Sequence, residues 1–165
     1  MKVYIDYISG DEFMSDSFPA VVSMEDACME VKAKWITKGK EVVNIATDEE
    51  EEDDEGGVTV IDVQDKFNLQ EVQGWTKKDF MTWVRGYLKA TTLRLKESNP
   101  DREAGFKAGA TQLVKLITGK FDEFQIFCGE KMDYDGALCF AYQKEQEDEG
   151  PTFLFFKDGL NEKKY

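Results

Sequence analysis

Residues 76–119, TKKDFMTWVRGYLKATTLRLKESNPDREAGFKAGATQLVKLITG, decide the fold. Thr76 followed by Asp79 three positions on is the signature of a capping box, in which side chain and backbone satisfy each other at a helix start. Behind it Phe80, Trp83, Val84, Tyr87, Leu88, Thr91 and Leu95 keep to one face of a 3.6-residue repeat. Asn99-Pro100 stops that helix, because the residue before proline is driven out of the α region, and Pro100 suits the first turn of a second helix. There Phe106, Ala110, Leu113, Val114 and Ile117 form the apolar stripe, with Gly119 where a C-terminal cap belongs. Two helices separated by a short break predict an αα-hairpin over 76–119.

Outward from the hairpin the period falls to two. Lys2 to Ile8 reads as a strand rich in aromatic and β-branched residues. Over Cys28 to Ile36, the apolar Met29, Val31, Ala33 and Trp35 alternate with Glu30, Lys32 and Lys34, a half-buried strand with one solvated face. Val58 to Val63, Phe124 to Cys128, Ala137 to Tyr142 and Thr152 to Lys157 are further strands, the last three separated by turn chemistry at Asp135-Gly136 and by the polar stretch Glu145 to Gly150. The expectation is a single α+β domain. Its mainly-β core covers 1–43, 58–75 and 121–165, with the helical hairpin 76–119 inserted and an acidic loop at 44–57. A chain of 165 residues buries roughly 70% of its unfolded surface, enough for one core without staples.

The acidic loop contains eight acids in an unbroken row, Asp48 to Glu55, followed by Gly56-Gly57. Charges this dense repel one another and cannot be buried, so a mobile, extended segment is expected. Charge is unequally shared along the chain. Between Trp75 and Phe124 stand ten Lys and Arg against six acids, a net of +4 that leaves −17 for the rest of a total of −13. A basic hairpin on an acidic body fits an acidic protein partner, whereas the overall field repels nucleic acid.

The chain contains no histidine. That removes the commonest general base, the Ser-His-Asp and Cys-His nucleophile arrangements and most transition-metal ligand sets. Neither a phosphate-cradling G-x-x-x-x-G-K-[ST] loop nor a G-x-S-x-G elbow occurs, so no nucleotide site is expected. Three cysteines, Cys28, Cys128 and Cys139, lack C-x-x-C spacing and read as buried core thiols; zinc is not expected. Calcium is open, because its ligands are oxygens. The set Asp48, Glu49, Glu50, Asp53, Asp54 and Glu55 would gather it weakly, at about 10⁻⁴–10⁻³ M, although no EF-hand pattern is met. No signal peptide and no apolar run near ~20 residues is found, so a cytoplasmic, non-enzymatic protein with no membrane partner is expected.

Three stretches together resemble the translationally controlled tumor protein family, also called histamine-releasing factor. DEFMSDSF, Asp11 to Phe18, is similar to the family's early acidic loop. QIFCGEKMDYDG, Gln125 to Gly136, is similar to its second signature, with Phe127, Gly129, Glu130, Met132, Asp135 and Gly136 in register. FFKDGL, Phe155 to Leu160, matches nearly letter for letter, while the family's first signature is poorly represented at Val43 to Asp48. The resemblance implies a β-tent with a projecting helical hairpin, in a fold group shared with a zinc-containing Rab-binding chaperone and methionine sulfoxide reductase B. It implies a growth-linked protein that binds calcium, associates with tubulin and microtubules, and contacts small GTPases and anti-apoptotic proteins. Tubulin interest falls on the hairpin, whose basic residues include Lys78, Arg85, Lys89, Arg94, Lys96 and Lys107. The acid implied for GTPase contact, and with it regulation of nucleotide exchange, corresponds to Glu12. A monomer is expected. By fold analogy alone, Cys128 and Cys139 on neighbouring strands would be the thiols of a reductase, against their reading as core packing.

Overall fold

The computed structural model describes residues 1–38 and 58–165. The first part of the chain forms β1 (Lys2–Asp6), β2 (Glu12–Ser15), β3 (Ala20–Ser23), β4 (Cys28–Lys32) and β5 (Trp35–Lys38). There follow β6 (Val58–Ile61), the short helix α1 (Asp62–Phe67) and β7 (Gln70–Val72). The hairpin is α2 (Lys77–Ser98) and α3 (Glu103–Gly119), with a 3₁₀ turn at Pro100–Arg102 between them. The chain then runs through β8 (Gln125–Cys128), β9 (Cys139–Tyr142), β10 (Thr152–Phe156) and β11 (Leu160–Lys164). The acidic run 48–55 and its proposed calcium ligands lie outside the described residues.

Six strands in the order β3-β4-β10-β9-β8-β7 make the main antiparallel sheet, three more form β11-β1-β2, and β5-β6 is a separate ribbon. The main sheet is buried on both faces at its centre, which is why Phe153–Phe156 is apolar throughout instead of alternating. On one face Phe140 and Leu154 are paired in register and Phe156 follows two residues later. The apolar stripe of α2 lies across them. The Phe80 and Phe140 rings meet edge to face at 5.5 Å, and Trp83 is 6.1 Å from Phe156. On the other face Phe153 lies between Phe127 and Phe155, at 5.4 Å and 6.3 Å. Burying each such ring contributes about 1.5–3 kcal/mol.

The sequence logic of the hairpin holds in detail. Thr76 is the N-cap of α2, and it and Asp79 form a reciprocal capping box, Asp79 N–H to Thr76 Oγ1 at 3.2 Å and Thr76 N–H to Asp79 Oδ2 at 2.8 Å. The Thr76 N–H and, at 3.0 Å, the Thr76 hydroxyl both donate to the ionised Asp79 carboxylate and hold it below its ordinary value. Gly119, by contrast, is the last helical residue, and Lys120 takes the cap position.

Three strand expectations and one loop expectation are corrected. The alternating run 28–36 does not stay in one strand. At Ala33–Lys34 the backbone turns to bond the 149–151 loop, Ala33 N–H to Pro151 O at 2.9 Å and Trp35 N–H to Glu149 O at 3.1 Å, and Trp35 ends exposed on the ribbon. Val58 to Val63 stops being a strand at Ile61. Asp62 accepts from Lys34 N–H at 2.9 Å and opens α1, so the segment 58–75 is not all β. The strand expected over Lys2 to Ile8 ends at Asp6. In the acidic stretch read as a loop, Phe13 and Met14 are buried within β2.

The hairpin is docked along its length. Between β3 and β4, Met24, Glu25 and Asp26 all have positive φ (55°, 56° and 64°), a left-handed turn that costs roughly 1–2 kcal/mol per residue for side chains with a Cβ. It is held by Ala27 N–H to Met24 O at 2.9 Å and by α3, whose Gly109 lets the turn approach the helix backbone. A Cβ at Gly109 would overlap the Met24 carbonyl oxygen and stand 2.6 Å from Ala27 Cβ.

Candidate functional site

Helix α2 has two faces of opposite character. Phe80, Val84, Tyr87, Thr91 and Leu95 are buried. Turned away from them, Lys78, Arg85, Lys89 and Lys96 are exposed at spacings of seven, four and seven residues. At 3.6 residues per turn those spacings return to within about 20° of one line, a cationic stripe about 27 Å long. None of the ion pairs found among the described residues engages Lys78, Arg85 or Lys89.

Three other basic residues of the hairpin, Arg94, Arg102 and Lys107, make contacts within the fold. Arg94 lies over the Tyr7 ring at 4.4 Å and donates to the Asp158 carbonyl at 3.3 Å and to Asn161 Oδ1. Arg102 makes a two-pronged pair with the Asp158 carboxylate, Nε to Oδ1 at 2.7 Å and an Nη to Oδ2 at 2.9 Å, which raises its already high pKa. Asp158 belongs to the FFKDGL stretch, so that stretch buckles the hairpin to the body. Lys107 and Lys96 converge on Glu103 at 2.9 Å and 3.8 Å. Chiefly through its bond to Lys107, the Glu103 carboxyl is held below its ordinary value. Lys96 therefore closes the stripe at the hairpin turn, with part of its charge offset.

The segment from Asp6 to Glu12 interlocks with the glycine-bearing stretch from Gly129 to Ala137. The buried Asp6 carboxylate accepts four bonds: Ile8 N–H at 3.1 Å, Ser9 N–H at 3.2 Å, Ser9 hydroxyl at 2.6 Å and Ala137 N–H at 2.9 Å. Asp11, also buried, accepts from Lys131 N–H at 3.0 Å. A Cβ at Gly136 would overlap Asp6 Oδ2, and one at Gly129 would overlap Asp11 Oδ2. Each glycine is thus the space in which a buried carboxylate sits. This leaves Glu12 as the acid turned outward, exposed at the edge of a groove of about 450 Å³ that it shares with Asp11, Lys66, Asn68, Glu130 and Lys131. Asn68 donates to Glu130 at 3.2 Å across it, and Lys131 Nζ is spent on Ser9 O at 2.8 Å.

All three thiols are buried and unlinked. Burial pushes Cys28 up to about 11, Cys139 well above its ordinary value and Cys128 upward. Cys139 is opposite Phe127 in the ladder, so Cys128 is one position out of register with it. Raised thiols are poor nucleophiles, which favours core packing over reductase chemistry. Among the described residues no three His, Cys, Asp or Glu side chains gather as a metal-binding group, and no helix is long and apolar enough to cross a membrane.

A family model described as translationally controlled tumour protein matches residues 1–161. The chain is 37% identical over 175 residues to the "Translationally-controlled tumor protein homolog" of Theileria parva, covering 100% of both chains. It is 37% identical over 176 residues to "Translationally-controlled tumor protein homolog 1" of Dictyostelium discoideum, again covering 100% of both. Among solved structures it resembles the translationally controlled tumor-associated protein p23fyp of Schizosaccharomyces pombe, with a TM-score of 0.82, 33% identity and 100% of each chain covered. The corresponding Caenorhabditis elegans protein shares the fold at a TM-score of 0.70 and 21% identity, over 100% of this chain and 99% of that one. The sheet-rich core with its helical hairpin is the architecture of those structures.

Proposed function

The chain belongs to the translationally controlled tumour protein family, and from that premise we propose that it is a non-enzymatic cytoplasmic interaction protein, growth-linked, that presents the outer face of α2 to tubulin. The observation that carries this reading is the exposed line Lys78, Arg85, Lys89 and Lys96 on a body of opposite charge. Tubulin is the acidic partner implied by the family resemblance, and a cationic stripe is what an acidic surface would meet. Catalytic chemistry is disfavoured by the missing histidine and by three buried, raised thiols.

Co-sedimentation with microtubules over a salt series tests the reading. The variant Lys78→Glu/Arg85→Glu/Lys89→Glu is expected to bind at least about 10-fold more weakly, and wild-type binding is expected to fade as salt shortens the Debye length from ~10 Å to ~3 Å. Arg94 is left intact, because its bonds to the Asp158 carbonyl and Asn161 would confound folding with binding. Binding indifferent to both treatments removes tubulin from α2.

Calcium belongs to the same proposal through Asp48, Glu49, Glu50, Asp53, Asp54 and Glu55. Titration followed by amide NMR should move those residues at about 10⁻⁴–10⁻³ M calcium, and shifts confined elsewhere would displace the site. A second reading, regulation of nucleotide exchange on a small GTPase, is favoured by Glu12, which is exposed at the edge of a groove while its neighbours Asp6 and Asp11 are buried. Nucleotide release from a purified GTPase that is unaltered by excess protein would dismiss it. Contact with anti-apoptotic proteins is proposed on the resemblance alone.

A further inference from the structure

Beside the cationic stripe, α2 borders a groove of about 570 Å³ walled by Ile8, Trp75, Trp83, Tyr87 and Tyr134, with Gly86 at its floor. The size is that of sites that take a few apolar side chains. The Trp75 and Tyr134 rings meet edge to face at 6.1 Å, while Trp83 is fixed by stacking on Tyr87 at 4.7 Å and by its Nε1–H to Gly136 O at 3.3 Å. These walls are therefore set before anything enters. Ile8 and Tyr134 remain 37% and 41% exposed, far more than a sealed core allows. A Cβ at Gly86 would meet no atom within 4 Å, so nothing in the fold requires a glycine in mid-helix there.

The charges at the edges are one-sided. Arg85 follows Thr82 by three residues and Lys89 follows Gly86 by three, positions that adjoin on a helix surface, so the stripe forms one bank of the groove. Asp135 is the one acid among its lining residues.

We infer that this groove seats the apolar anchors of an acidic amphipathic helix whose carboxylates lie on Arg85 and Lys89. The inference deepens the reading of α2 as an acid-binding surface and rests on it. The groove runs from Thr82 to Ala90, about 12 Å along the axis, room for anchors at i, i+3 or i+4, and i+7 of a partner helix. Aromatic walls supply desolvated contact at the centre, and the cations supply steering and register at the rim.

The test uses two fluorescein-labelled 16-residue peptides. One is a Glu-rich helix with Leu and Phe anchors at that spacing, and the other has the same charges with the anchors replaced by Ser. Binding to the full chain is followed by anisotropy and, in a Trp35→Phe background, by tryptophan emission, which then reports Trp75 and Trp83 alone. The anchored peptide should bind and shift the emission, with the Ser peptide at least 10-fold weaker. Gly86→Leu, which fills the floor on an exposed helix face, should weaken the anchored peptide at least 10-fold with the far-ultraviolet circular dichroism unchanged. No binding of the anchored peptide, equal binding of the two peptides, or indifference to Gly86→Leu each overturns the inference. Microtubule binding lost on charge reversal but kept by Gly86→Leu would sink the groove and leave the stripe reading standing. An anchored peptide that needs Gly86, with microtubules indifferent to charge reversal, would sink the tubulin reading instead.

Discussion

Both helices of the hairpin carry a glycine in mid-course, and the two meet opposite surroundings. Gly109 of α3 is the seat of another part of the chain: the left-handed turn at Met24–Asp26 lies so close that any side chain would collide with it. Gly86 of α2 looks into open space beside aromatic walls. A helical glycine costs about 1 kcal/mol relative to alanine in either place. In α3 the cost is offset by docking within the molecule. In α2 no internal contact offsets it, so the two faces divide into one already used by the fold and one available to a partner.

The sharpest way to break this comparison is Gly109→Ala. The added methyl must displace Met24 or the helix, an overpacking that outweighs the gain in helix propensity and should destabilise by about 3 kcal/mol. For a domain of this size that lowers the thermal midpoint by roughly 6–12 °C. Thermal denaturation followed by circular dichroism measures it. A midpoint that stays or rises would mean that the turn is not held against α3 as described.

A smaller effect tests how tightly the docked side is sealed. Cys28 opens β4, directly after the turn and Ala27, and burial lifts its pKa from 9.0 to about 11. The unfolded chain releases that proton near pH 9 and the folded one holds it until about pH 11. The folded state therefore binds more protons across that window, and its stability is full below pH 9 and lost as pH rises. The loss from this thiol is about 1.4 kcal/mol at pH 10. Cys139 and Tyr87 move in the same direction. Denaturant unfolding at pH 7.5 and pH 10 should show a smaller alkaline loss in Cys28→Ala than in the wild type. Equal losses would mean that water already reaches β4.

What the sequence disclosed follows the range of the forces involved. The hairpin was legible because its cap, its apolar period and its proline are local: Thr76 and Asp79 lie one turn apart, and the stripe needs no knowledge of what covers it. The break at Ala33–Lys34 was not, since alternation continues through Trp35 while the turn is imposed by Glu149 and Pro151, more than one hundred residues away. β11 gave no apolar signal, because only Leu160 of its five residues is buried. The site was half legible. Composition marked the hairpin as basic, but Arg94 and Lys89 look alike in a sequence, and only the packing shows one over Tyr7 and the other exposed. Glu12 follows from the resemblance; that Asp6 and Asp11 are consumed by backbone amides, leaving Glu12 outward, depends on contacts 120 to 131 residues along the chain.

The smallest expected effect is the one of opposite sign. Gly86→Ala removes backbone entropy from the unfolded chain and adds a methyl where no atom stands within 4 Å, so the helix gains and nothing is crowded. The gain is about 0.5–1 kcal/mol, a rise in thermal midpoint of roughly 2 °C. Because a single methyl barely narrows the groove, peptide binding should weaken only a fewfold, well short of the loss in Gly86→Leu. A fall in stability would show that Gly86 is needed by the fold after all. The α2 glycine would then serve the same end as the α3 glycine, and the case for a vacant docking face would lose its main support.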